Sequence, residues 1–291
     1  MHNTDNDFLH LSPLLSTKIP AQVTLALAED VGAEDLTARL IDALTPATAH
    51  IICREPAVIC GIPWVNEVFK QVDQQSQLEW LVAEGECVLA NQTLCKITGL
   101  ARSLLTSERV ALNFLQTLSA TATVTKTFVD KISGTNARIL DTRKTIPTMR
   151  LAQKYAVTVG GGLNQRMGLY DGILIKENHI AAANGIGAAL KAAFEIKAKQ
   201  PNISIQIEVE DLTQLEQAIT AGASSVLLDN FNLDLLVKAV KLNNKRTLLE
   251  ASGGISLENV RAIAETGVDR ISIGSITKHI QAVDLSMRFT G

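Results

Sequence analysis

The chain has 291 residues, 46% of them hydrophobic, and its 27 basic and 30 acidic residues give a formal net charge of -3. A chain of this length buries one large core or two unequal ones, so it needs neither disulfides nor metals to fold. The net charge gives no overall attraction to nucleic acid, so anion binding requires a local cluster of basic residues. This balance argues against a DNA or RNA partner.

Neither the cysteines nor the N-terminus suggests an exported or membrane protein. The cysteines lack the paired short spacing of a zinc site, and we expect packed free thiols. They are Cys53, Cys60, Cys87 and Cys95. The N-terminal MHNTDNDFLHLSPLL lacks the basic start and apolar stretch of a secretory signal, and no later run reaches the ~20 apolar residues of a spanning helix. These observations predict a cytoplasmic protein with no membrane partner.

The first part of the chain has the pattern of a separate α+β domain. Short apolar runs broken by glycine and proline predict strands at AHIICRE, AVICG, LEWLV and LCKITG, with a helix at VNEVFKQV. A stretch over 102–128 without proline or glycine predicts a long helix that connects two domains. We place the domains at residues 1–115 and 116–291, and we allow for a C-terminal end that returns to the first domain.

From Ala137 onward, short β-branched runs alternate with amphipathic helical stretches, which is the pattern of a parallel sheet covered by helices. The runs are ARILD, GILIK, ISIQIEVE, SSVLLD, TLLEA and RISIG. Six such strands predict an α/β barrel smaller than the usual eight-stranded one. Thr213 and Glu216 have the spacing of a capping box for one of the intervening helices.

Each of the six runs ends in a charged residue or a glycine. Parallel barrels build their active sites at the carboxyl ends of their strands, so these residues are candidates for the site. They are Asp141, Lys176, Glu208, Asp229, Gly253 with Gly254, and Gly274.

Four basic residues follow the first two of these strands. Arg143 and Lys144 come after the first strand, Arg166 follows a run of three glycines, and Lys176 ends the second strand. Each feature alone also suits a solvated loop. Four converging positive charges, however, would repel one another unless an anion bound between them. Guanidinium groups pair with carboxylates and phosphates, whereas ammonium groups act as point charges, so the mixture suits a ligand that carries both groups.

Two carboxylates end neighbouring strands beside this basic cluster. Glu208 and Asp229 are candidate ligands for magnesium, which would bridge them to phosphate oxygens. The alternative is that they form salt bridges and neutralise the arginines. The residues alone leave both interpretations open.

Glycine turns follow the last two strands at the edge where barrels commonly hold a phosphate on backbone N–H groups. A simple strand terminator is the alternative, but the position of both turns favours phosphate binding. The turns are Ser252-Gly253-Gly254 and Gly274-Ser275.

Long ordered motifs across nearly the whole chain resemble the carboxylating nicotinate-nucleotide pyrophosphorylases, also called quinolinate phosphoribosyltransferases. The motifs are EDVGAEDLTARL, SERVALNFLQ, DTRKTIPTMR, QKYAV, GGGLNQRMGLYDGILIKENH, IEVE, LLDNF, EASGG and ISIGSITKHIQAVDLSMRF. The resemblance implies a fold of mixed α/β and α+β class, with an N-terminal α/β sandwich domain and an open, roughly six-stranded α/β barrel. It also implies a head-to-tail homodimer in which each N-terminal domain caps its partner's barrel.

The activity that the resemblance implies is that of a glycosyltransferase of the pentosyltransferase type. It would transfer phosphoribosyl from phosphoribosyl pyrophosphate to quinolinate and yield nicotinate mononucleotide, pyrophosphate and carbon dioxide in de novo NAD biosynthesis. By the same resemblance, Arg109 would act in trans and join Arg143 and Arg166 in binding the two quinolinate carboxylates. Three arginines favour this dianion over nicotinate, because an unpaired buried carboxylate is costly.

The resemblance assigns the other candidates to catalysis and to phosphoribosyl pyrophosphate. Lys144 and Lys176 would contact this substrate and the bound acid, and Glu208 and Asp229 would match the family's magnesium and ribose ligands. The two glycine turns would form the 5′-phosphate site. Magnesium is therefore the expected cofactor.

The chain departs from the family at Gln165, where a histidine is usual, and a glutamine carries no charge. Two alternatives stay open. One is a related phosphoribosyltransferase-like protein of molybdenum-uptake operons, and the other is a non-catalytic barrel that binds a sugar phosphate and regulates a partner. The roles of His179 and His279 are likewise open.

Overall fold

The computed structural model of this chain describes residues 13–290 and contains two structural units. The first unit comprises the residues up to Val124, Leu151–Gly161 and the segment from His279 onward, and the second comprises Thr125–Arg150 and Gly162–Lys278. The expectation of no secretory signal concerns residues 1–12, which lie outside the described part. Within that part, no helix is long and apolar enough to cross a membrane.

The order of strands and helices follows the predicted pattern. The strands are β1 (Pro46–Cys53), β2 (Ala57–Val58), β3 (Gln77–Trp80), β4 (Cys87–Val88), β5 (Gln92–Leu100), β6 (Arg138–Leu140), β7 (Gly172–Ile175), β8 (Ser204–Val209), β9 (Ser225–Asp229), β10 (Leu248–Ser252), β11 (Arg270–Ser272) and β12 (Leu285–Phe289). The helices are α1 (Pro13–Val31), α2 (Ile62–Val72), α3 (Ala101–Lys131), α4 (Arg150–Val159), α5 (Glu177–Ala182), α6 (Ile186–Lys199), α7 (Leu212–Thr220), α8 (Leu233–Asn243), α9 (Val260–Glu265) and α10 (Ser275–Lys278), with a 3-10 turn at Ala38–Leu40. The six runs predicted after Ala137 are β6 to β11.

The first unit contains a four-stranded antiparallel sheet in the order β12-β1-β5-β3 and a separate pair, β2-β4. Helix α2 buries Trp64, Val65, Val68 and Phe69, which lie on one face of a helix at this spacing. Complete burial of each such side chain contributes about 1.5–3 kcal/mol. Three of the four cysteines are buried as free thiols, but Cys87 is exposed because it lies on the outward face of β4.

The second unit contains a six-stranded parallel sheet in the order β6-β11-β10-β9-β8-β7. The two end strands, β6 and β7, are not paired with each other, so the sheet is open, as predicted. Strands β8 and β9 are almost continuously buried, as expected for a parallel sheet covered by helices.

The sequence predicted a boundary at residues 115 and 116 and allowed the C-terminal end to return to the first domain. That position lies inside α3, and the division into units falls farther along the same helix, after Val124. The chain also returns twice to the first unit, once with most of α4 and once with β12. A continuous helix carries no break in its sequence pattern where its packing partners change, so periodicity could not locate this division.

The predicted capping box of α7 is wrong. Thr213 lies inside the helix, and Asp211 is the N-cap residue, whose Oδ1 accepts the backbone N–H of Gln214 at 2.8 Å. An aspartate before the helix satisfies a free backbone donor of the first turn directly.

The register of the parallel strands decides which side chains meet at the carboxyl edge of the sheet. Glu208, Leu227 and Glu250 are aligned across β8, β9 and β10, so their side chains lie on one face at one level. Two residues farther along β9 and β10, Asp229 is aligned with Ser252. The polar residues of the site therefore lie in layers.

Candidate active site

A cavity of about 340 Å³ lies at the carboxyl edge of the parallel sheet, and all the residues that line it belong to the second unit. They are Thr142, Arg143, Lys144, Gln165, Arg166, Leu174, Lys176, Glu208, Leu227, Glu250, Ser252 and Ser272. The cavity has the position at which α/β proteins bind small ligands.

The structure brings together all four basic residues that the sequence placed at this edge: Arg143, Lys144, Arg166 and Lys176. The pKa of Arg166 is lowered, first by burial and then by the positive charge of Arg143, while Asp171 opposes the shift. The Nε atom of Arg143 is buried and has no hydrogen-bond partner in the described part of the chain. Both guanidinium groups are thus in surroundings that an anionic ligand would stabilise.

Local contacts position Lys144. Its backbone N–H donates to Thr142 Oγ1 at 3.1 Å, and its carbonyl accepts the hydroxyl of Thr277 at 2.8 Å. Its side chain lies against Gly274, where an added Cβ would be 3.1 Å from the Lys144 Cδ atom. The absence of a side chain at Gly274 therefore leaves space for this lysine.

The two candidate metal ligands have different surroundings. Glu208 lines the cavity and forms an ion pair with Lys176, with 3.0 Å between Nζ and Oε2. Asp229 does not line the cavity, and its Oδ2 accepts the Asn230 side-chain N–H at 2.8 Å. Glu208 thus forms a salt bridge, but with a lysine and not with the arginines that the alternative named, and its role as a metal ligand stays a prediction.

The donors fit a magnesium ion only if the substrate supplies most of its ligands. Within residues 13–290, no three acidic, histidine or cysteine side chains are grouped to hold a metal. Glu208 and Asp229 lie on one face of neighbouring strands, one level apart. Magnesium typically takes one or two carboxylates together with phosphate oxygens and water, which matches this pair.

The glycine turns form part of the same edge. Ser252 lines the cavity, whereas Gly253, Gly254, Gly274 and Ser275 are not among the residues that line it. Gly253 and Gly254 have φ values of 94° and 60°, which favour glycine. A Cβ at Gly253 would overlap Asn230 Oδ1, so the close approach of these loops also requires glycine.

Sequence reasoning missed a group of polar residues beneath the cations. Gln165 was predicted to lie at the site, but Glu250 and Gln206 were not, and both hydrogen-bond to it. Asp141 was noted only as a strand end, and its Oδ1 accepts the Gln165 backbone N–H at 2.8 Å. The available signal was a single polar residue inside an otherwise apolar strand, as in TLLEA.

The remaining candidates lie outside the cavity lining. Arg109 belongs to α3 in the first unit, is exposed, and has Glu108 as an ion-pair partner at 3.8 Å. His179 lies in α5, and its Nδ1 accepts the backbone N–H of Lys176 at 3.1 Å. His279 is exposed and lies just beyond α10.

Two family models match most of the chain. The model described as quinolinate phosphoribosyl transferase, C-terminal domain, matches residues 121–288, and the model for the N-terminal domain of the same family matches residues 35–119. Together they cover both structural units.

Similar proteins and solved structures agree with this match. A probable carboxylating nicotinate-nucleotide pyrophosphorylase of Bacillus subtilis is 39% identical over 262 residues, 90% of each chain. A decarboxylating quinolinate phosphoribosyltransferase of Nicotiana tabacum, named as mitochondrial, is 36% identical over 94% of this chain and 85% of its own. The structure of the nicotinate-nucleotide pyrophosphorylase from Francisella tularensis is 45% identical, with a TM-score of 0.92 over 99% of this chain and 100% of that one.

Proposed function

The chain belongs to the quinolinate phosphoribosyltransferase family, and from this membership and its cavity we propose that it transfers phosphoribosyl to quinolinate with loss of carbon dioxide. It is a pentosyltransferase of NAD biosynthesis, and its substrates are quinolinate and phosphoribosyl pyrophosphate. The products are nicotinate mononucleotide, pyrophosphate and carbon dioxide.

The observation that carries this proposal is the group of four cations in one cavity. The lowered pKa of Arg166 reflects burial beside Arg143, and Arg143 Nε is buried without a partner among residues 13–290. Such a site gains most from a ligand with several negative charges, as both substrates have. Two guanidinium groups suit the carboxylates of quinolinate, and two ammonium groups suit the phosphates.

In this proposal Arg143 and Arg166 bind quinolinate together with Arg109 from the second copy of a homodimer. The support for this role of Arg109 is its place in the motif SERVALNFLQ and its exposed side chain in the first unit.

Lys144 and Lys176 bind phosphoribosyl pyrophosphate, with the 5′-phosphate on the backbone N–H groups of the two glycine turns. Glu208 and Asp229 would hold magnesium. When bound, magnesium would neutralise charge on the phosphate oxygens. Glu208 is already paired with Lys176, which places this lysine beside the proposed magnesium ligand.

The chain's own residues contribute by positioning and by charge stabilisation. The lysines stabilise the departing pyrophosphate while positive charge grows on the ribose, and the quinolinate nitrogen forms the bond to C1′. The quaternised ring nitrogen then stabilises the carbanion left when the adjacent carboxylate departs as carbon dioxide, and this carbon takes up a proton from solvent to give nicotinate mononucleotide. The arginines hold the ring in place through both steps, so no nucleophilic side chain is needed.

The test is to incubate the purified protein with quinolinate, phosphoribosyl pyrophosphate and magnesium, with nicotinate as the parallel substrate. We expect nicotinate mononucleotide and carbon dioxide from quinolinate, and no turnover of nicotinate or without magnesium. Binding of phosphoribosyl pyrophosphate without turnover of either acid would contradict the proposal and favour the related transferase or the regulatory binder.

The sequence predicts a cytoplasmic location, and we keep it as part of the proposal. The names of the relatives do not decide it, because one is named as mitochondrial and another as chloroplastic. Cell fractionation with an antibody against the native chain would test it.

A further inference from the structure

A buried carboxylate that the proposed chemistry does not use lies beneath the cations of the cavity. Glu250 of β10 is fully buried, and no ion pair among residues 13–290 includes it. Its oxygens accept N–H groups from two glutamine side chains, Gln165 Nε2 at 2.7 and 2.8 Å and Gln206 Nε2 at 2.9 Å. We call these three residues the amide–carboxylate network.

The Glu250 carboxyl group determines which way both amides face. Its oxygens accept hydrogen bonds from both side chains, so the NH₂ groups of Gln165 and Gln206 point toward it. The Oε1 atom of Gln165 then faces the other way and accepts the backbone N–H of Arg166 at 3.2 Å. The Gln206 amide has two further contacts, because its Nε2 also donates to Ser225 Oγ at 3.1 Å and its Oε1 accepts Gln165 Nε2 at 3.0 Å.

The turn that carries Arg166 is therefore held at several points. The Gln165 backbone N–H donates to Asp141 Oδ1 at 2.8 Å, and the Gln165 side chain is held by the network. The Arg166 side chain is fixed by Nη1, which donates to the Gly172 carbonyl at 2.9 Å. Loss of the side-chain contact would release the backbone N–H of Arg166 and loosen the start of this turn.

Direct attraction between Glu250 and Arg166 is not the main effect. The pKa of Arg166 is set by burial, by Arg143 and by the opposing charge of Asp171. Glu250 is not among these causes, whereas the Gln165 side chain bonds both Glu250 and the Arg166 backbone N–H, so we place the influence of Glu250 in the geometry of Gln165.

We propose that Glu250 is a positioning residue that orients the Gln165 amide and thereby fixes Arg166 for binding a ligand carboxylate. The inference rests on the proposed function, in which Arg166 binds quinolinate. The hydrogen bonds described above lead from Glu250 through Gln165 to the Arg166 backbone and not to Lys144 or the glycine turns, so we expect the effect on the acid and not on phosphoribosyl pyrophosphate.

The experiment compares Glu250→Gln and Glu250→Asp with the natural chain. Calorimetry gives the affinity for each substrate alone, with phthalate as an unreactive dicarboxylate, and steady-state kinetics give KM and kcat. We expect both variants to bind quinolinate and phthalate roughly tenfold more weakly, with phosphoribosyl pyrophosphate affinity within about twofold. In Glu250→Gln, an NH₂ group replaces one of the two oxygens that accept the Gln165 N–H groups, so two donors face each other. In Glu250→Asp, the side chain is one methylene too short to reach Gln165.

Two further variants keep the test decisive if Glu250 substitutions impair folding. Gln165→Ala removes the contact from the cavity side, where a smaller residue is tolerated, and should show the same selective loss of acid binding. Ser225→Ala removes only the hydrogen bond that Ser225 accepts from Gln206 and is the matched control. We expect its dicarboxylate affinity within about twofold of the natural chain.

Three results would overturn the inference. Full acid binding by Glu250→Asp with loss in Glu250→Gln would show that charge acts directly, and equal loss of both substrates would show a general structural role. Unchanged acid binding in Gln165→Ala would exclude the route through the amide. Failure of the proposed function is distinguishable, because it appears as absent turnover in the natural chain while phthalate binding still measures the role of Glu250.

Discussion

The side-chain NH₂ group of Gln165 donates hydrogen bonds to Glu250 and to Gln206. A histidine ring N–H could also donate to Glu250, so we expect Gln165→His to keep activity within about an order of magnitude. Steady-state turnover of quinolinate by the folded variant, checked by circular dichroism, measures this. Almost complete loss of turnover with the fold intact would show that the site specifically requires the glutamine amide.

His179 supports Lys176 through the hydrogen bond that its Nδ1 accepts from the lysine backbone N–H. An asparagine oxygen can occupy nearly the same place, so His179→Asn should keep kcat/KM for phosphoribosyl pyrophosphate within about threefold, whereas His179→Ala should lower it roughly tenfold. Kinetics of both variants at one pH provide the comparison. Equal damage by asparagine and alanine would mean that this hydrogen bond is not what places Lys176.

At the scale of single elements, the cap of α7 gives a matched pair of substitutions. Asp211→Ala removes the acceptor for the Gln214 backbone N–H and should lower the free energy of unfolding by about 1 kcal/mol. Thr213→Ala changes a residue inside the helix and should alter it by less than about 0.5 kcal/mol. Urea unfolding of both variants tests the assignment, and a larger loss with Thr213→Ala would favour the capping box predicted from the sequence.

The buried carboxyl group of Glu84 contacts the start of α2, and its ionisation opposes folding. Glu84 accepts the backbone N–H groups of Gly61 and Ile62 at 2.9 and 3.0 Å, but burial outweighs these bonds and raises its pKa above the ordinary value of 4.5. The protonated form is therefore favoured in the folded state. Its contribution to stability is fully present below the unfolded pKa and is lost as pH rises through the folded pKa.

Glu84→Gln removes this ionisation and so isolates its effect. The free energy of unfolding of the natural chain, relative to the variant, should decrease as pH rises from 4.5 through the raised folded pKa. Urea unfolding of both proteins from pH 4 to pH 8 measures the difference at each pH. A difference independent of pH would mean that Glu84 has the same pKa in the folded and unfolded chain.

Most elements were predictable because each carries a complete local signal. The six parallel strands are β-branched runs bounded by helical stretches, and α3 has no residue that interrupts its periodicity. Glu250 was missed because its role depends on register: only the alignment of β8, β9 and β10 shows that it shares a face with Glu208. One acidic residue within an apolar strand does not reveal which neighbour will hydrogen-bond to it.

At the scale of the whole molecule, Arg109 decides whether one chain suffices for activity. Its motif predicted that Arg109 lies at the site, yet all the residues that line the cavity belong to the second unit. The sequence pattern of one chain carries no information about a second copy. Under the proposed trans arrangement, Arg109→Ala and Lys176→Ala subunits would each be inactive alone. Each mixed dimer would contain one site with both natural residues.

Equal mixing of these variants, after dissociation and reassembly, should restore about a quarter of natural turnover, because half of random dimers are mixed and each has one intact site. Arg143→Ala mixed with Lys176→Ala is the control and should restore nothing, since both changes affect the cavity of a single chain. Recovery in the control, or none in the test mixture, would contradict a shared site.

The pairing of β12 with β1 joins strands from opposite ends of the described chain. As the polypeptide leaves the ribosome, all six strands of the parallel sheet emerge before Leu285–Phe289 does. The antiparallel sheet must therefore expose one side of β1 until β12 has emerged, although most of its residues are made first. The sheet that is begun first can thus be completed only last. A nascent chain whose residues up to Lys278 have left the ribosome could hold a complete parallel sheet and an incomplete antiparallel one.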